Sequence, residues 1–186
     1  VGMPPDIRVR SPYTRALSLP PGFALVTLRE IGDSFAFATE KASSLGAATL
    51  VHVGRFDLAE FAVVLEPEEP LATARRAFYA GMCALADALA AHAPPEKPIA
   101  FAWPGTILID GGIVGGGRLA WAREGTEDAP PDWLVFGAMI RTVAMREGKA
   151  GLSPLTAALD EEGFEDLQSG QLAESFARHL LTQVDT

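Results

Sequence analysis

Apolar positions along this chain come in short dense blocks, parted by clusters drawn from 14 prolines and 18 glycines. Each cluster marks a joint, because proline interrupts ladders and helices while glycine supplies turns. Residues 1–22 carry Pro4-Pro5, Pro12 and Pro20-Pro21 and read as an extended lead-in. Phe23 to Ile31 has the apolar density of a strand. Gly32-Asp33-Ser34 then supplies a turn and an N-cap, and Phe35 to Leu45 reads as a helix closed by Gly46. Two more strands are predicted at Ala48 to Val53 and Ala59 to Leu65, joined by the turn Gly54-Arg55-Phe56-Asp57. Leu71 to Ala91 is the clearest helix. Pro70 suits a first turn, and Phe78, Met82, Leu85 and Leu89 recur at three- and four-residue spacing.

In the second half, Ile99 to Trp103 and Thr106 to Ile109 read as short strands. Asp110-Gly111 between β-branched runs signals a tight hairpin into a strand that begins at Ile113 and continues through Leu119 to Trp121. Thr126 to Asp132 is a polar, proline-bearing loop, followed by a strand at Trp133 to Val143. Residues 146–170 are loop-like with short helical pieces, and Gln171 to Val184 closes with a helix striped by Leu172, Phe176 and Leu180. Hairpins outnumber crossovers, which predicts an α+β fold with a mixed, mostly antiparallel sheet and packed helices. The main domain spans 23–145, and residues 146–186 complete it with a loop and a helix.

Composition narrows the function classes. A length of 186 residues with 48% hydrophobic content suits one domain of ordinary size. Fifteen basic against 24 acidic residues leave a net charge of −9, which disfavours a nucleic-acid backbone and an anionic membrane surface. No apolar run approaches the ~20 residues of a membrane span, and residues 1–10 show no signal-peptide core. The one cysteine, Cys83, can form neither an internal disulfide nor a cysteine zinc site, which fits a reducing, cytoplasmic setting. With Cys83 on the predicted helix it reads as a small core hydrophobe. His52, His92 and His179 do not cluster, so no metal site is expected. His52 itself reads as a hydrogen-bonded or surface-facing strand histidine.

The most informative segment is Phe101 to Arg118, which holds six glycines. Such a run is a ligand cradle, a site of close backbone approach, or a turn with a bulge. It continues into strand, not helix, which rejects the dinucleotide fingerprint, and no lysine lies between Lys97 and Lys149, which rejects a P-loop. Gly111 and Gly112 read as hairpin residues, whereas Gly115, Gly116 and Gly117 suit close approach by a ligand or by backbone.

Trp103-Pro104, the strand Ile107 to Ile109 and Gly116 together resemble the core motif of the biotin protein ligases, relatives of the lipoate–protein ligases. Glu30 to Ser34 opening a helix, the strand Phe61 to Leu65 and the strand Asp132 to Val143 fall in the family's order. The resemblance spans roughly residues 20 to 145. It implies a class II aminoacyl-tRNA synthetase/biotin synthetase-like fold, binding of a small carboxylic acid such as biotin or lipoate, ATP with Mg, and transfer of the acyl group to a lysine on a biotinyl or lipoyl carrier domain. Residues implied at the substrate are Ser34, Gly54, Arg55, Trp103, Gly115, Gly116, Gly117 and Arg118, with Trp103 at least partly buried as a wall of the pocket.

The departures are as specific as the matches. Where the family pattern carries lysine this chain has Ala102 and Ile113, and Gly105 and Thr106 replace its Asn-Asp pair. The stretch that should hold the arginine- and glycine-rich adenylate loop is only Gly54 to Leu58. Adenylation builds negative charge at the α-phosphate and calls for a pre-placed cation. Arg118 and Arg55 are therefore the candidates for the catalytic and carboxylate-binding roles. An alternative expectation is a non-catalytic module that binds a small acid or a carrier protein.

Overall fold

Asp33 starts the first helix. Its backbone is extended and its Oδ1 accepts from the Ala36 N–H at 2.9 Å, while Gly46 closes the other end at φ 77° with its N–H on Ala42 O. The computed structural model describes residues 16–144, 155–164 and 166–184. Residues 1–15 of the lead-in and 145–154 of the late loop lie outside the described residues.

In chain order the elements are β1 (Ala24–Leu28), α1 (Ser34–Leu45), β2 (Thr49–Val53), β3 (Leu58–Leu65), α2 (Leu71–Ala74), α3 (Ala77–Ala90), β4 (Ile99–Ala102), β5 (Thr106–Ile109), β6 (Gly112–Trp121), β7 (Leu134–Arg141) and α4 (Ser169–Val184). The strands form one seven-stranded sheet in the order β1-β2-β3-β7-β6-β5-β4. β1 and β2 run parallel, and every other pairing is antiparallel. The expected α+β architecture is the observed one.

Alternation along the strands assigns each face a partner. Phe61 and Val63 of β3 with Phe136, Ala138 and Ile140 of β7 pack against Met82, Leu85 and Leu89 of α3 and Leu172, Phe176 and Leu180 of α4. Phe176 stacks on Phe136 at 5.7 Å between ring centroids and tilts against Phe61 at 4.8 Å. On the opposite face, Val51, Ala62, Val64 and Val135 bury against the small side chains Ala38 and Ala42 of α1. Asp110 and Gly111 both have positive φ, 49° and 82°, which makes the two-residue hairpin turn that the Asp-Gly signal predicts. No described helix is long and apolar enough to cross a membrane.

Several expectations need correction. The single helix over Leu71 to Ala91 is two, broken at Arg75-Arg76. The loop before β7 grips the first turn: Leu71 N–H donates to Ala129 O, Ala72 N–H to Glu127 O, and the Arg75 guanidinium pairs with Glu127 while lying over Trp121. β1 stops at Leu28, and Ile31 is exposed. Cys83 is exposed on α3, because it falls on the solvent side between the buried Met82 and Leu85. The native protein should therefore react with one equivalent of a thiol reagent without denaturant. A thiol titration requiring unfolding would contradict that placement. His52 is neither satisfied nor surface-facing: it is 2% exposed, and among the described residues neither ring nitrogen has a hydrogen-bond partner.

Candidate functional site

α1 covers β2, β3 and part of β7, and beyond its N-terminus the same sheet face stays open. The opening is a cleft of about 450 Å³ whose lining includes Ser34, Glu60, the strand segment Ile113 to Arg118, Gly137, Met139 and Arg141. That size suits a small organic molecule.

Register places the side chains in rows. Glu60 pairs with Met139 and Met139 with Gly116, so these three form one line across β3, β7 and β6. The next row holds Ala62, Gly137 and Arg118, and the row on the other side holds Leu58 and Arg141. A carboxylate in the middle row is therefore flanked diagonally by two arginines.

The glycines make the floor. Pairing shifts between Ile107 and Leu108, so Val114 is an extra residue in β6, and Gly115 follows it at φ 153°. A methyl group added at Gly115 would sit 1.9 Å from Met139 O, and one at Gly116 would sit 1.9 Å from Gly105 O. Close approach by backbone thus accounts for both. Gly137 serves a side chain instead, since a methyl there would meet the Phe35 ring at 2.4 Å. Phe35 can lie flat on β7 only because residue 137 lacks a Cβ. The Arg118 guanidinium in turn stacks over that ring at 4.1 Å.

The two cleft arginines differ in how much of their fork is spent. Arg141 Nη1 donates to Ala157 O at 2.9 Å and to Ile113 O at 3.4 Å. Among the described residues Arg118 has one charged neighbour, Asp33 at 3.8 Å, and its side chain is 56% exposed at the mouth. Glu60 is 5% exposed, and its Oε1 accepts from the Ser34 N–H at 3.0 Å and the Ser34 hydroxyl at 3.4 Å. Together with Asp33 it satisfies donors in the first turn of α1, so that helix end is filled by the protein's own carboxylates.

Of the expected site residues, Ser34, Gly115, Gly116, Gly117 and Arg118 meet in this cleft. Gly54, Arg55 and Trp103 do not line it. Trp103 sits at the outer β4–β5 turn and is 82% exposed, so the expectation of a buried pocket wall is corrected; β4 is an edge strand with exposed Phe101 beside it. Arg55 is turned onto Asp57, bonded at 2.8 and 2.7 Å. Those bonds raise the arginine's pKa and lower the carboxyl's below their ordinary values. The short loop around Arg55 is pinned at three successive carbonyls: Ser169 Oγ donates to Arg55 O at 2.7 Å, Thr142 Oγ1 to Phe56 O at 2.6 Å, and Thr142 N–H to Asp57 O at 3.0 Å. Sequence reasoning missed Glu60 and Arg141. A charged residue inside the apolar runs Leu58 to Leu65 and Leu134 to Arg141 was the available signal.

Among the described residues no lysine lines the cleft. Nor does any group of three or more His, Cys, Asp or Glu stand where it could hold a metal ion among them. The one carboxylate in the cleft already receives Ser34, so the donor set does not build a resident metal site.

A seven-stranded mixed sheet, with α3 and α4 on one face and α1 beside a glycine-floored cleft on the other, frames the site. The sequence matches the Biotin/lipoate A/B protein ligase family over residues 19–186, and the chain belongs to that family. It is similar to a biotin protein ligase-like protein of unknown function from Silicibacter sp. TM1040, at 33% identity and TM-score 0.81, covering 91% of this chain and 73% of that one. The fold is shared with the biotin protein ligase of Aquifex aeolicus, at 17% identity and TM-score 0.67 over 88% of this chain and 69% of that one. The Leishmania major ligase bound to biotin gives 17% and 0.62, over 87% and 73%. No curated protein sequence matches. The family resemblance carried by Trp103-Pro104 and Gly116 is borne out.

Proposed function

We propose that the cleft binds a small carboxylic acid of the biotin or lipoate class and that Arg118 receives the acid's carboxylate. The observation carrying this reading is the Arg118 fork, stacked on Phe35 over a glycine floor, with Asp33 at 3.8 Å as its charged neighbour. A planar guanidinium held in one orientation is built for bidentate pairing with a carboxylate or phosphate. The Aquifex ligase in complex with biotin and ATP, whose fold this chain shares, supports extending the reading to ATP as second substrate. The acid's oxygen would attack the α-phosphorus of ATP and expel pyrophosphate. A carrier lysine's amine would then attack the acyl carbon, releasing AMP and a proton. Arg118 would offset the charge that develops at the phosphate, and Arg141, half committed to backbone carbonyls, would hold the strand that presents it.

Arg118→Ala should weaken acid binding by about tenfold or more in calorimetry, a charge-assisted hydrogen bond being lost, while the melting temperature moves little. Unchanged acid affinity would remove Arg118 from this role. A second reading, acid binding without adenylation, is favoured by the lysine-free lining and by the ion pair that occupies Arg55. Pyrophosphate release with biotin, lipoate and octanoate separates the two: a ligase turns over ATP, whereas a binder only gains thermal stability.

A further inference from the structure

Glu60 is the feature of the cleft that neither reading uses. The residue is only 5% exposed, yet it belongs to the cleft lining. Both of its hydrogen bonds fall on Oε1. Among the described residues Oε2 receives none, and the sealed, unpartnered polar atoms there are both in His52, so Oε2 is not one of them. Oε2 therefore faces the cleft.

A carboxylate held there is costly unless something donates to it. It repels a second carboxylate and offers nothing to a bare hydrocarbon tail. The sheet spaces it from the cation: Glu60 and Gly116 flank Met139 on neighbouring strands, about 10 Å apart at strand spacing, and Arg118 stands one row further along β6. An acid whose carboxylate meets Arg118 thus lays its far end toward Glu60. We infer that Glu60 is a specificity-determining residue that selects acids carrying an N–H donor at the end remote from the carboxylate. The substrate class is then a ureido or amino acid of extended shape, and not lipoate or a plain fatty acid. This rests on the acid-binding reading above.

ω-Aminooctanoate adds to octanoate a terminal ammonium, a charged N–H donor, and biotin supplies neutral ureido N–H groups. Calorimetry on the full chain should show biotin and ω-aminooctanoate binding at least about tenfold tighter than octanoate or lipoate. Glu60→Gln keeps an acceptor for Ser34 and should bring ω-aminooctanoate within about threefold of octanoate. Equal binding of all four acids by the unaltered protein overturns this inference and leaves the acid-binding reading standing. A preference that survives Glu60→Gln also overturns it. Absence of binding by every acid overturns both. Should the variant fail to fold, the comparison of the two octanoates on the unaltered chain decides alone.

Discussion

Gly116→Ala should destabilise the protein by roughly 3–4 kcal/mol and lower its melting temperature by roughly 10 °C. The cause is not conformational preference but collision: the new methyl would lie 1.9 Å from the carbonyl oxygen of Gly105, which is backbone of the turn leading into β5 and cannot swing aside. Relief requires β5 and β6 to part, and their pairing carries both the hairpin and the cleft floor. Gly111→Ala supplies the contrast. It has nothing within 4 Å, so its cost is only that of a left-handed turn residue, about 1 kcal/mol. Thermal melts of the two variants side by side check the argument, and similar losses would refute a steric origin.

Stability should also fall on acidification because of His52. Its ring is buried in β2 opposite Phe61, and burial alone lowers its pKa from 6.5 to about 4. The unfolded chain therefore takes up a proton at higher pH than the folded one does. Above pH 6.5 neither state holds it and the protein has its full stability. Between pH 6.5 and about 4 the unfolded state is progressively favoured, by roughly 3 kcal/mol in total. His52→Leu removes that contribution, so its denaturant midpoint should vary less with pH than that of the parent. Parallel pH profiles would show that the histidine is not sealed as described.

These two cases also show what was legible beforehand. Asp33, Gly46 and the Asp110-Gly111 turn act within four residues of themselves, so their roles follow from local chemistry, and the elements they bound were readable. Trp103-Pro104 and Gly116 gave the family for the same reason, as a contiguous pattern. Trp103's exposure was not readable, because an edge strand is recognised only once the order of all seven strands is known. Cys83 and His52 went wrong through one angular step each: which side of α3 or of β2 a residue takes depends on what packs there. Arg55 looked like a spare cation until Asp57, two residues on, was seen to hold it. Glu60 and Arg118 lie 58 positions apart in sequence, and only the β3–β7–β6 register brings them to one cleft.

The pinned loop after β2 has a kinetic meaning. With the carbonyls of Arg55, Phe56 and Asp57 each tied to Ser169 or Thr142, this loop, which leads into Leu58 of the cleft lining, is held in place outside the cleft and is not built to fold down over a guest. On the proposed reading, an acid bound in the cleft gains no closing step from this loop, and its departure is set by contacts made elsewhere. In the proposed reaction this loop would not shield an acyl-adenylate from water, so a carrier that shut the mouth on docking would capture and shield it in a single encounter.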